Sequence, residues 1–103
     1  MEGLELVSFQ IIAAAGTARS SYVEALQAAK QGRFDDAVEL IKQGDEAFTE
    51  AHHVHANLIQ KFAAGEEVGA NILLIHAEDQ VMSAEVFKLL AEEMIDVYKK
   101  LLA

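Results

Sequence analysis

The sequence predicts an all-α fold, an antiparallel three-helix bundle, and three observations carry that expectation. There is no proline and no cysteine, and Ala, Leu, Glu, Gln and Lys, all strong helix formers, dominate the chain. Apolar residues recur at helical spacing through three long stretches. Only two segments break the pattern, "KQGRFDD" (Lys30–Asp36) and "AAGEEVGA" (Ala63–Ala70). Helices are therefore expected at about 4–31, 34–64 and 70–102, in a single domain covering 1–103.

The first helix carries Leu4, Val7, Ile11, Ala14, Ala18, Val23 and Leu26 near one face. It ends at Gly32, in the position of a C-terminal cap. Asp35 and Asp36 then favour the start of the second helix, where negative charge complements the helix dipole. Phe34, Ala37, Val38, Ile41, Phe48, Ala51, Leu58, Ile59 and Phe62 form its apolar stripe. Gly16 and Gly44 fall inside helices and each costs about 1 kcal/mol relative to alanine, so each is expected to serve close packing or a bend.

The third helix is apolar around most of its circumference, from Ile72 through Val86 and Leu90 to Leu102. A three-helix bundle leaves the outer side of every helix in water, so such a helix must be covered twice. An oligomer with helix three near the symmetry axis follows. An apolar content of 52% in 103 residues agrees, being more than a small monomer needs to hide.

Net charge and composition exclude several classes. A formal charge of −9 at pH 7 argues against nucleic acid, which wants a basic surface, and against anionic membranes. No apolar run approaches the ~18–20 residues of a membrane-spanning helix, and the acidic start "MEGLELVSFQ" lacks the basic region of a signal peptide. A cytoplasmic location without membrane insertion is the expectation. Thiolate chemistry and disulfides are excluded by the lack of cysteine.

Two clusters remain for chemistry. In "LLIHAEDQVM" (Leu73–Met82), His76 and Asp79 stand one turn apart on a helix face continued by Ile72, Ser83, Val86 and Leu90. That face is expected to be packed. His76 reads equally as a core histidine satisfied by a backbone carbonyl or by Asp79 and as a nucleophile, since a neutral imidazole nitrogen can attack covalently. Asp79 wants a partner, a metal or a rim position, because an unpaired carboxylate on an apolar face is costly. Glu78, Glu85, Glu92, Glu93 and Asp96 read as a solvated acidic face. In "EAHHVHAN" (Glu50–Asn57), His52 and His55 share a face and form at most half a metal site. An antiparallel bundle brings this segment toward the start of helix three, where His52 or His55 approaches His76. No phosphate-binding loop, nucleophile elbow or HExxH motif is present.

"LLIHAEDQVM" resembles the signature around the phosphorylated histidine of the lactose/cellobiose-type enzyme IIA proteins of the bacterial sugar phosphotransferase system. "AGTARSSYVEALQAAKQGRFDDA" (Ala15–Ala37) and "EAFTEAHHVHANLIQKFAAGEE" resemble the family's first and second helices, in the same order. The resemblance implies a nine-helix homotrimer with helix three of each subunit around the three-fold axis. It implies that His76 accepts a phosphoryl group from the phosphocarrier protein HPr and passes it to a cysteine of a IIB component, while a IIC permease imports a β-linked disaccharide. Asp79 matches the aspartate that faces the trimer axis and holds a divalent cation, Mg2+, one per trimer. Many members carry a second histidine directly after that aspartate; here Gln80 stands in its place and is expected to contact phosphate, with His52 or His55 as further pocket residues. Two rivals stand beside this reading. One is a non-enzymatic or redesigned helical scaffold, suggested by the alanine run "IIAAAGTA". The other is a divalent-metal protein in which one subunit's His52, His55, His76 and Asp79 are the ligands.

Overall fold

The computed structural model describes residues 3–69 and 71–102. Three helices make up the fold, α1 (Gly3–Lys30), α2 (Phe34–Ala63) and α3 (Ile72–Leu102), and the bundle measures 53 × 24 × 19 Å. The expected helices are all present, with ends shifted by one or two residues. The expected start at Ala70 lies outside the described residues, and the described helix begins at Ile72.

Each boundary has a local cause. The N–H of Gly32 donates to the carbonyl of Ala29 and that of Arg33 to Ala28, with Gly32 at φ +76°. This is the left-handed closure that satisfies the last carbonyls of a helix and that only glycine adopts without cost. The same pattern ends α2, where Gly65 (φ +88°) donates to Phe62 and Glu66 to Lys61. Asn71 opens α3: its Oδ1 accepts from the Leu74 N–H at 2.9 Å, and its own carbonyl accepts from Ile75.

α1 is the central helix. It packs along both α2 and α3, which meet each other over a much smaller contact. Its buried face is broad and built of small residues, Ala14, Ala15, Ala18, Ala25, Ala28 and Ala29, together with Ile11 and Tyr22. Small side chains let three helices approach closely, and interior packing then excludes water. The buried face is thus broader than the face expected from Leu4, Val7, Ile11, Ala14, Ala18, Val23 and Leu26. Alanine is weakly apolar, so its burial gives little sequence signal.

Expected core positions on α2 are corrected too. Val38, Ile59 and Phe62 are exposed, and only Ala37, Gly44 and Ala51 are fully buried. Half-buried Phe34, Ile41, Phe48 and Leu58 supply its packing. On α3 the inward positions are Leu74, Ala77, Val81, Ala84, Ala91 and Ile95. The rest of its apolar surface faces outward: Ile72, Ile75, Met82, Val86, Leu89, Leu90, Val97 and Leu101 are all exposed.

A polar network pins the middle of the bundle. The Tyr22 hydroxyl donates to Asp45 Oδ1 at 2.7 Å, and Lys88 Nζ lies 3.4 Å from the same oxygen. Lys88 also sits 5.9 Å from the Phe48 ring centroid. Side chains from α1 and α3 therefore converge on Asp45 of α2.

Candidate functional site

The site is built on the first turns of α3. Asn71 caps the helix, and His76 follows on the second turn with its side chain exposed. Asp79 and Gln80, three and four residues on, share the His76 face. Asp79 is exposed and Gln80 half-buried. Within one chain this face is open, because the inward stripe of α3 runs through Leu74, Ala77 and Val81, so the packing expected of it has to come from another copy. His76 is therefore not a core histidine.

Gln80 is held from α1. Arg19 Nη1 donates to Gln80 Oε1, across the contact between the two helices. In the sequence Arg19 stands out only as part of "AGTARSSYVEALQAAKQGRFDDA". A lone cation within the alanine-rich middle of α1, in a chain of net charge −9, was the available signal.

α2 reaches α3 at a neighbouring point. His55 Nε2 lies 3.3 Å from Glu78 Oε1. His55 thus meets α3 at Glu78. His52 stacks on Phe48, with ring centroids 6.1 Å apart and planes at 22°. The remaining acidic residues of α3, Glu85, Glu92, Glu93 and Asp96, are exposed.

An apolar groove of about 290 Å3 runs between the end of α2 and the start of α3, lined by Leu58, Ile59, Phe62, Val68, Gly69, Leu74, Ile75 and Glu78. Its walls include the exposed Ile59, Phe62 and Ile75, which α2 and α3 do not cover for each other.

Among the described residues, no three His, Asp or Glu side chains gather as a metal ion requires. The reading in which His52, His55, His76 and Asp79 of one subunit bind a transition metal is thereby corrected. The helical spacing separates them: His52 is drawn to Phe48 and His55 to Glu78, leaving His76 and Asp79 facing outward.

What this arrangement does chemically is limited by what it offers. An exposed imidazole, a side-chain amide oriented by a guanidinium, a carboxylate and an apolar groove suit reversible covalent transfer to docked proteins better than turnover of an enclosed small molecule. Residues 6–99 match the family model described as PTS system, lactose/cellobiose specific IIA subunit. The PTS system lactose-specific EIIA component of Staphylococcus epidermidis is 39% identical over 97 residues, covering 94% of this chain and 93% of that protein. The crystal structure of the PTS cellobiose-specific enzyme IIA from Bacillus anthracis superposes with a TM-score of 0.95 at 48% identity, covering 98% of this chain and 93% of that one. A solution structure of the IIA(chitobiose)–HPr complex of the Escherichia coli phosphotransferase system superposes with a TM-score of 0.85 at 36% identity over 100% of both chains.

Proposed function

The chain belongs to the lactose/cellobiose-specific IIA family and is a phosphotransferase component, and from that premise we propose that it carries a phosphoryl group on His76 between HPr and a IIB component. The observation that carries this reading is the exposure of His76, the one histidine of α3, on the helix whose Ile75 and Glu78 line an open apolar groove. The neighbouring structure solved with HPr bound supports HPr as the donor. Relatives named for lactose, cellobiose and chitobiose support a β-linked disaccharide as the sugar finally imported through the IIC permease, in the cytoplasmic phase of transport.

The transfer is simple to balance. The lone pair of one His76 ring nitrogen attacks the phosphorus of phospho-HPr. The new N–P bond forms as the donor's N–P bond breaks, and the donor imidazole leaves with the electron pair. In the second half, a IIB cysteine thiolate attacks the same phosphorus and His76 leaves. No cofactor redox step is needed. Catalysis is positioning and stabilisation of phosphoryl charge, with Gln80 as a hydrogen-bond donor to phosphate oxygens. His55 borders the docking region through Glu78, and His52 lies farther back against Phe48.

The assembly in this reading is a homotrimer with α3 at the axis. The outward apolar residues of α3 that the chain leaves uncovered support it. Asp79 is the polar interruption of that seam and would approach its two symmetry mates. Carboxylates in such a position suit a hard, oxygen-seeking cation such as Mg2+, one per trimer. Its contribution is charge neutralisation at the axis.

The test is intact-mass measurement after incubation with phosphoenolpyruvate, enzyme I and HPr. An acid-labile gain of one phosphoryl group, absent from His76→Ala, is the expected result. No gain in a folded wild-type chain would overturn the phosphocarrier role.

A further inference from the structure

Resting on the phosphocarrier reading, we infer that Arg19 is a positioning residue, which fixes the Gln80 amide so that its NH2 group donates to the phosphoryl group carried by His76. A carboxamide has one accepting oxygen and one donating nitrogen, and it can point either way. Arginine has five N–H donors and no acceptor. Arg19 Nη1 donates to Gln80 Oε1, so the amide oxygen is committed to α1 and the nitrogen is turned away from it. Gln80 lies four residues after His76, the spacing at which side chains on one helix are neighbours, with Cβ atoms about 5–6 Å apart. Arg19 and Gln80 are both half-buried, which restricts the rotamers that would let the amide turn over. The phosphoryl group on His76 needs donors and is repelled by acceptors. Without Arg19, the amide presents its oxygen or its nitrogen to that group indifferently.

The experiment compares initial rates of phosphoryl uptake from phospho-HPr. Gln80→Ala should slow uptake about tenfold, the scale of one hydrogen bond to a charged group, and Arg19→Met, which keeps the aliphatic stem, about twofold, because an unheld amide still presents its nitrogen about half the time. The double variant should be no slower than Gln80→Ala, because Arg19 acts through the amide. Gln80→Glu retains an acceptor for Arg19 but has no donor, and should be at least as slow as Gln80→Ala. Gln80→His should stay near wild type, since neutral imidazole accepts on one nitrogen and donates from the other. Multiplicative slowing in the double variant, a wild-type rate for Arg19→Met, or an active Gln80→Glu would each overturn the inference. A merely structural Arg19 would slow uptake equally in the Gln80→Ala background and would lower the melting temperature. These failures are distinct from failure of the phosphocarrier reading, in which the wild-type chain itself takes up no phosphate or His76→Ala still does.

Discussion

At the scale of single residues, the tightest constraint is the pair Gly44 and Tyr22. A Cβ placed on Gly44 would sit 2.6 Å from the Tyr22 ring, and Tyr22 is fully buried with its hydroxyl bonded to Asp45. Alanine is favoured over glycine in a helix by about 1 kcal/mol, but overpacking a fixed ring costs about 1–3 kcal/mol. Gly44→Ala should therefore destabilise the chain in urea unfolding. Gly16, which meets nothing within 4 Å in its own chain, should show the opposite sign in Gly16→Ala. Tyr22 also predicts a pH dependence. Burial first, then the hydrogen bond and negative charge of Asp45, push its hydroxyl well above the ordinary value of 10.0. The unfolded chain thus releases this proton before the folded chain does, so Tyr22 contributes stability that is fully present below pH 10 and is lost as pH rises further. The loss is about 1.4 kcal/mol per pH unit for one proton. Urea titrations across the alkaline range should show this slope in the wild type and lose it in Tyr22→Phe.

At the scale of helices, α3 depends on its two ends for different reasons. Its start is held by the Asn71 cap, and Asn71→Ala should cost about 1 kcal/mol, read as faster amide exchange in the turn that precedes His76. Its end is held by Ala91 and Ile95, the latter packed with Ala25, Ala28, Ala29 and Ala37. A chain cut before Met94 should therefore unfold or aggregate, and a soluble, cooperatively melting truncation would contradict that packing. Much of this was legible in the sequence. Gly32, Asp35 and the glycines of "AAGEEVGA" marked the breaks because turn chemistry is local. The centrality of α1 was not legible, because it rests on alanines whose burial depends on how three helices meet. The position of His76 was legible only in part. Spacing placed it with Asp79, but whether that face was inward depended on which of two apolar stripes on α3 the chain itself covers. Arg19 was missed because its partner Gln80 is 61 residues away, and no local pattern reports such a contact.

At the scale of the whole molecule, the single chain exposes more surface than it should. Its accessible area is 6578 Å2, whereas a compact monomer of this mass exposes about 5,700 Å2. Part of the difference is the rod-like shape, and much of the apolar excess lies on one side of α3. Ile72, Ile75, Met82, Val86, Leu90, Met94, Val97 and Leu101 follow one another at steps of three or four residues, save the seven from Ile75 to Met82, and all are exposed. Asp79 occupies the step between Ile75 and Met82. A continuous apolar seam at helical spacing needs cover from another helix, and three copies packed around a common axis would supply it. If three copies do so, each Asp79 meets two others, and three like charges near one axis repel. Replacing such buried charges with apolar side chains of similar size is often neutral or stabilising. Asp79→Leu should therefore leave a trimer in sedimentation, with an equal or higher melting temperature that added Mg2+ does not change, whereas added Mg2+ should raise that of the wild type. Dissociation of that variant to monomers would place Asp79 away from the axis. A wild-type chain that sediments as a monomer would overturn the seam itself, and with it the reason for so many uncovered leucines, isoleucines and valines on the helix that carries His76.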